Sequence, residues 1–271
     1  MSAIALTIAG SDSSGGAGIQ ADLKTFSALG VYGASAITAL TAQNTLGVEA
    51  VHAVPPEFII KQIEAVARDL DVGAVKIGML ATTAIIEGVA EGLKSFPGVP
   101  VVLDPVMVAA SGDPLLDEDA VATLRTVLVP RASLITPNLP EAAKLLGGHQ
   151  ARNEREMSAQ AEALRQLGAK AVLIKGGHAE GERAVDILVD DEGLLHLEAP
   201  RVATRNTHGT GCTLSSAIAA ELAKGASLRD AVVAAKAYVT AAIGAADSLR
   251  IGKGRGPVHH FHALWPRHAK R

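Results

Sequence analysis

The sequence predicts an α/β domain in which helices flank a mainly parallel central sheet. Three observations carry that expectation. Short runs rich in β-branched residues alternate along the chain with segments of helical apolar periodicity, the pattern of strand–helix–strand units. Successive strand candidates run into short glycine-rich or polar segments, the composition of ligand-binding loops at the carboxyl edge of a parallel sheet. The 271 residues are 48% hydrophobic but only 3% aromatic, so aliphatic and Ala side chains must fill a core ample for a chain of this length.

Each element can be justified in turn. The first strand candidate, 4–9, leads through the glycine loop 10–18 into a helical stretch at 19–29. Pro55-Pro56 opens a helix whose apolar stripe runs Ile59, Ile63, Val66, Leu70, proline being tolerated in the first turn. Further strand candidates lie at 74–77, 99–103, 133–135, 171–174, 184–189 and 194–197. Asn153 with Glu156 three residues on caps a helix carrying Leu164 and Leu167, and Ser227 with Asp230 starts a late one in the same way. The apolar stretch 231–246 is interrupted by Lys236 and Thr240 and reads as a buried helix rather than a membrane span. No repeat, low-complexity segment or long linker divides the chain. Residues 1–265 are therefore expected to form one domain, with 266–271 a frayed tail.

Composition excludes several function classes. A formal net charge of −3 and the lack of a long basic run argue against a nucleic-acid footprint, so an anionic ligand must be held by local features. The single cysteine rules out an internal disulfide and suits a reducing cytoplasm. No basic segment precedes the short apolar run at 4–9, so it is not read as a signal peptide.

Chemistry concentrates in Asn206-Thr207-His208-Gly209-Thr210-Gly211-Cys212-Thr213, a polar loop opening an Ala-rich apolar helix. The first backbone N–H groups of a helix lack internal partners and carry the positive end of the macrodipole, so phosphate oxygens are stabilised there. Gly209 and Gly211 let the backbone approach closely, and the helix field is expected to favour the thiolate of Cys212. The plainer reading is a glycine loop entering a core helix with a small buried Cys. Five strand ends add Gly10-Ser11-Asp12, Gly78-Met79, Asp104-Pro105-Val106-Met107, Thr136-Pro137-Asn138 and Lys175-Gly176-Gly177, all converging on one edge if the sheet is parallel. Turn punctuation explains any one of them; it explains Lys175 and Asp104 less well. The loop 10–18 is not a P-loop, because the next lysine, Lys24, lies inside the helix, nor does it fit a dinucleotide site, which needs spaced glycines together with a later acid ending a second strand.

Taken in order, these segments resemble the ribokinase-like superfamily and, within it, the hydroxymethylpyrimidine and phosphomethylpyrimidine kinases of thiamine biosynthesis. The resemblance runs through residues 6–12, 15–25, 76–80, 104–107, 136–142, 175–178, the Cys212 loop and Gly256-Pro257-Val258-His259-His260, nearly the whole chain. It implies a three-layer ribokinase-like fold and an ATP- and Mg²⁺-dependent kinase; a cytoplasmic homodimer is expected. Gly209 and Gly211 would receive ATP phosphates beside Cys212, with Lys175 reaching the same charge and Thr207, Asn138 and Asp104 contributing to the nucleotide site. Glu141, with Asp104, would organise Mg²⁺, although Asn138 and Glu141 also spell a capping box and both roles can coexist. On the acceptor side the resemblance points to Gly10, Asp22, Gln43, Met79 and Val106. The plain alternatives are a solvated first-turn acid for Asp22, a loop-capping amide for Gln43 and a core filler for Met79. Lys76 reads as a buried paired charge, and the histidines at 259, 260 and 262 are assigned no metal. Sugar, nucleoside and many vitamin B6 kinases carry Asp where this chain has Cys212, which favours the pyrimidine kinases. Pyridoxal kinase is the nearest alternative, and a catalytically silent vitamer sensor is the alternative from another class.

Overall fold

The structure is a computed structural model that describes residues 2–109, 112–178 and 182–265; the expected tail at 266–271 lies outside them. Among the described residues ten strands occur, β1 (Ile4–Ala9), β2 (Tyr32–Ile37), β3 (Ala39–Gln43), β4 (Val48–Ala53), β5 (Ala74–Ile77), β6 (Val101–Leu103), β7 (Leu134–Ile135), β8 (Val172–Ile174), β9 (Arg183–Asp190) and β10 (Gly193–Pro200). Between them run α1 (Gly18–Ala28), α2 (Pro56–Ala67), α3 (Thr83–Gly92), α4 (Ala120–Thr123), α5 (Leu139–Leu146), α6 (Glu154–Arg165), α7 (Thr210–Ala223) and α8 (Leu228–Gly244). Eight strands form one sheet in the order β10-β9-β8-β7-β6-β5-β1-β2, while β3 and β4 make a separate antiparallel flap. From β2 to β8 every pairing is parallel; β8–β9 and β9–β10 are antiparallel.

Strand periodicity explains the layers. Leu6 and Ile8 of β1, Val75 and Ile77 of β5 and Val101 and Leu103 of β6 face one side, where they pack with Ile59 and Ile63 of α2, Ile85, Ile86 and Val89 of α3 and Leu145 of α5. Ala5, Ala74, Val102 and Leu134 face the other side against Phe26 of α1, Leu214 and Ile218 of α7 and Val232 and Val239 of α8. Successive side chains of a strand point to opposite faces, so hydrophobic runs buried on both sides yield a three-layer structure. The second layer is built from small residues, and α7, with Ala217, Ala219 and Ala220 fully buried, lies close over the sheet.

Several expectations change in detail. Strand β10 runs on to Pro200, and the last two strands form a hairpin rather than another crossover. The apolar stretch at 231–246 is half-buried: Ala231, Val232, Ala235, Val239 and Ala242 face the core, whereas Val233 is 50% exposed. Strands β2, β3 and β4 were not read from the sequence. Tyr32–Ile37 is rich in Gly, Ala and Ser, and β4 is exposed along most of its length, so neither shows the alternation of a half-buried strand. Among the described residues no helix is long and apolar enough to cross a membrane.

Candidate active site

The five segments expected to converge do so, because β8, β7, β6, β5 and β1 are consecutive neighbours in the sheet. Past the strand ends the backbone ladder continues: Gly78 N–H donates to the Ile8 carbonyl, Asp104 to Ile77, Thr136 to Leu103 and Lys175 to Pro137. Registration of the loops therefore follows from registration of the sheet. It places the Lys175 ammonium 2.8 Å from Asp104 Oδ1 and 4.0 Å from Glu141 Oε2. Asp104 also accepts from Thr136 Oγ1 at 3.3 Å and Ser215 Oγ at 3.2 Å. Glu141 closes a capping box, its Oε2 accepting the Asn138 N–H at 2.8 Å while Asn138 Oδ1 accepts the Glu141 N–H at 2.9 Å.

The electrostatics follow from this packing. Burial pushes the Glu141 carboxyl up to about 7, Asp104 pushes in the same direction, and the Lys175 ammonium opposes both. For Lys175 burial alone would lower the pKa, but Asp104 and Glu141 outweigh it and hold the ammonium above its ordinary value. The result is a charged lysine between two carboxylates, one of them close to neutral protonation. Among the described residues no three His, Cys, Asp or Glu side chains converge as a metal site. Asp104 and Glu141 offer hard oxygen donors that suit Mg²⁺ when a substrate's phosphates complete its shell.

Directly opposite stands the start of α7. Gly209 is its N-cap with φ +77, and a Cβ there would lie 1.9 Å from the Gly16 carbonyl oxygen. At Gly211 a Cβ would approach Lys175 Nζ at 3.3 Å and Asp104 Oδ2 at 3.5 Å, so the missing side chain leaves the helix terminus open to the charged cluster. That cradle fits phosphate oxygens: the positive end of a helix, a fixed ammonium and no side chain at Gly211 between them. Thr207 is exposed before it, its carbonyl accepting from Thr210 Oγ1 at 2.7 Å. Cys212 adjoins the same cradle, partly accessible. One expectation needs correction here. Burial pushes the thiol up to about 11, aided by Asp22 and Asp104 and opposed by Lys76. The helix terminus does not win, because dense packing of the first turn removes the thiolate's solvation.

The acceptor-side residues divide into two groups. Gly10 is buried against Met79, whose sulfur would sit 2.9 Å from a Cβ at position 10; Met79 is 7% exposed, with its carbonyl accepting from Thr38 Oγ1 at 2.7 Å. Val106 is half-buried beside the core. Gln43 ends β3 at a bulge, half-buried, its Oε1 accepting from Thr41 Oγ1 at 3.2 Å; with Asn44, Thr45, Arg205 and His208 it lines a cavity of about 190 Å³. A larger, shallow recess of about 580 Å³ at Thr204, Arg205, Asn206 and Asp247 lies away from the charged cluster and carries none of its groups.

Asp22 is different, lying a layer beneath the cleft instead of on its wall. It is fully buried, its oxygens occupied by Lys76 Nζ at 2.8 and 2.9 Å, Thr7 Oγ1 at 2.6 Å and Ser216 Oγ at 2.6 Å. Lys76, also fully buried, is its ion-pair partner. The residues sequence reasoning passed over are the ones that brace the site: Ser215 and Ser216 on α7, Thr136, and the Asp12–His208 pair. Ser215 and Ser216 carry a signal in retrospect, since hydroxyls one turn inside an otherwise apolar helix need buried partners.

The comparisons with known proteins can now be set against this geometry. The phosphomethylpyrimidine kinase family pattern matches residues 12–259. The hydroxymethylpyrimidine/phosphomethylpyrimidine kinase of Rhizobium meliloti is 62% identical over 265 residues, 98% of this chain and 99% of that one. The chain belongs to the phosphomethylpyrimidine kinase family. Among solved structures of relatives, the ADP complex of Bacillus subtilis pyridoxal kinase superposes with a TM-score of 0.89 at 42% identity, covering 97% of this chain and 99% of that chain. Phosphomethylpyrimidine kinase from Clostridium difficile gives 0.78 at 50% identity, covering 89% and 99%. This family member thus keeps the ribokinase-like α/β fold, and its charged cluster lies where that fold's parallel strands end.

Proposed function

We propose that the chain is an ATP-dependent kinase that phosphorylates the hydroxymethyl group of 4-amino-5-hydroxymethyl-2-methylpyrimidine and then adds a second phosphate to the monoester, supplying thiamine biosynthesis. The observation that carries this reading is the convergence of Lys175, Asp104 and Glu141 on the glycine-opened start of α7. Phosphoryl transfer has a loose transition state, so fixed charge and aligned donors supply most of its catalysis. Lys175 and the amides of Gly211 and Cys212 at the start of α7, opened by Gly209, hold the transferring phosphoryl charge; Thr207 and Asn138 border the nucleotide. Asp104 and Glu141 would hold Mg²⁺, which when bound neutralises phosphate charge. Gly10, Met79 and Val106 shape the wall for the pyrimidine ring. Gln43 offers both a donor and an acceptor to an aminopyrimidine edge. Cys212 is placed to take the proton of the acceptor hydroxyl, from a thiolate that is a minor species at neutral pH.

A pyridoxal kinase is the second reading, favoured by the close superposition on the Bacillus subtilis enzyme. Side-by-side turnover of the pyrimidine alcohol, its monophosphate and pyridoxal, followed by ADP release, separates the two; turnover of pyridoxal alone would overturn the pyrimidine assignment. Saturable binding without ADP release for any acceptor would point to a sensor instead. The single unpaired cysteine supports a cytoplasmic setting. Leu40, Leu46 and Val51, exposed on the β3–β4 flap, support association as a homodimer, which sedimentation equilibrium tests directly.

A further inference from the structure

Two loops must meet at a fixed distance for this chemistry: the loop after β1, which leads past Gly10 to α1, and the loop before α7, which carries the phosphate cradle. At their junction sit two buried side chains that the proposed reaction does not use. Asp12 is 1% exposed, and its two oxygens accept from five donors: Ser14 N–H at 2.8 Å, Ser14 Oγ at 2.7 Å, Gly16 N–H at 3.1 Å, Ala17 N–H at 2.8 Å and His208 Nε2–H at 2.7 Å. No oxygen is left for a ligand. His208, 6% exposed, is pinned through its backbone to the C-terminal segment, donating to the Gly256 carbonyl at 3.0 Å and accepting from Val258 N–H at 3.3 Å.

The glycines around this pair interlock. A Cβ at Gly16 would lie 2.4 Å from His208 Cδ2, and a Cβ at Gly209, the next residue along, would lie 1.9 Å from the Gly16 carbonyl. The imidazole therefore occupies a slot that only glycine at position 16 leaves open, and its bond to Asp12 is a side-chain link between the two loops at this joint. A buried polar pair contributes little net stability relative to apolar packing, so its value is geometric.

We propose that Asp12 and His208 are positioning residues, a clasp that sets the spacing between the acceptor's loop and the phosphate cradle so that hydroxyl and phosphoryl group meet in line. The proposal rests on the kinase reading above. In that reading a displacement of about 1 Å between bound partners lowers turnover by roughly 100-fold while each partner still binds. Asp12 is held ionised, well below the ordinary carboxylate range at about 2, because the His208 and Ser14 bonds overcome the opposing effect of burial.

The test compares His208→Ala with His208→Gln, whose amide N–H can reach Asp12 much as Nε2–H does, using whichever acceptor the wild-type enzyme turns over. His208→Ala should lower kcat by about 10- to 100-fold, with separately titrated Kd values for ATP and acceptor moving less than about threefold. His208→Gln should recover most of kcat. A kcat within threefold of wild type in His208→Ala overturns the proposal, as does equal loss in both variants or a loss seen in Kd instead of kcat. If His208→Ala does not fold, Gly16→Ala pries the same joint apart while keeping the bond chemistry, and should show the same split; unchanged kcat there also overturns the clasp. Failure of the wild-type enzyme to phosphorylate the pyrimidine alcohol counts against the assigned substrate alone, since the variants are scored on any acceptor that is turned over.

Discussion

The raised thiol of Cys212 makes a strong prediction about pH. With the thiol pushed up to about 11, only about one enzyme molecule in 10⁴ carries the thiolate at pH 7, and that fraction rises about tenfold per pH unit. If the thiolate takes the proton of the alcohol, the first phosphorylation must follow the fraction. Glu141, at about 7, contributes its own ionisation up to neutrality, so the informative window lies between pH 7.5 and 9.5, where the single-turnover rate with the alcohol should rise by about 100-fold. The second acceptor is a phosphate monoester that already carries most of its second charge near neutrality, and its rate should stay nearly flat over the same window. Cys212→Ala should cost the first reaction about 10²- to 10⁴-fold and abolish its slope, with less than about tenfold effect on the second. Cys212→Ser should resemble Ala, its hydroxyl being a still weaker acid; Cys212→Asp, ionised throughout, should restore activity with a flat profile. Rapid-quench measurement of both reactions decides it. A flat wild-type profile with the alcohol, or equal loss for the two acceptors in Cys212→Ala, would refute the proton-acceptor role and leave Cys212 as a wall of the anion site.

Three further outcomes follow from the same geometry. Gln43→Ala should weaken the pyrimidine acceptors by about 1–3 kcal/mol, the usual consequence of unpairing a polar group in a closed site, with ATP binding nearly constant by separate titration; equal weakening of both would mean that Gln43 shapes the cleft as a whole. Glu141→Gln should raise the Mg²⁺ concentration needed for half-maximal rate, while the amide still caps α5 through Asn138 N–H. Because the Glu141 carboxyl is raised in the folded state, the unfolded chain loses its proton first, and wild-type stability should decline between about pH 4.5 and 7 by this group's contribution; thermal melts of ligand-free Glu141→Gln should lack that decline. Gly209→Ala and Gly211→Ala should differ in kind: the first clashes with backbone at Gly16 and lowers both Tm and rate, whereas the second meets only Lys175 Nζ and Asp104 Oδ2, so Tm is retained and the KM for ATP rises.

Much of this arrangement was legible in the chain because one rule connects it: in a parallel sheet every strand end lies on the same edge. The strand candidates at 4–9 and 74–77 matched β1 and β5 in their bounds, and the five loops followed. The β2–β4 region was not legible, since exposed strands and a flap with Gln43 at a bulge lack the burial that imposes alternation. The two errors of emphasis at the site, Asp22 and the thiolate of Cys212, share a cause. Both depend on depth. The resemblance pointed to Asp22 on the acceptor side, but whether a carboxylate there meets solvent or Lys76 is decided by how closely α7 settles on the sheet.

That settling also explains why the site is built in two charged tiers. Consecutive residues of α7 reach both: Ser215 Oγ bonds Asp104 beside the cleft and Ser216 Oγ bonds Asp22 below it, with Cys212 one turn earlier within electrostatic reach of both Lys76 and Lys175. The lower tier, Lys76 with Asp22, is internally balanced. In the upper tier Lys175 is already matched by Asp104, and Glu141 lies close enough to protonation that its charge is only partly expressed. In the proposed reaction the helix N-terminus supplies about half an elementary charge toward a nucleoside triphosphate, and a cation arriving with the phosphates would add to it and draw Glu141 to its ionised form. On this view the raised carboxyl of Glu141 keeps the ligand-free site near neutrality, and the acid becomes a full oxygen donor only when a metal–nucleotide is there to be held.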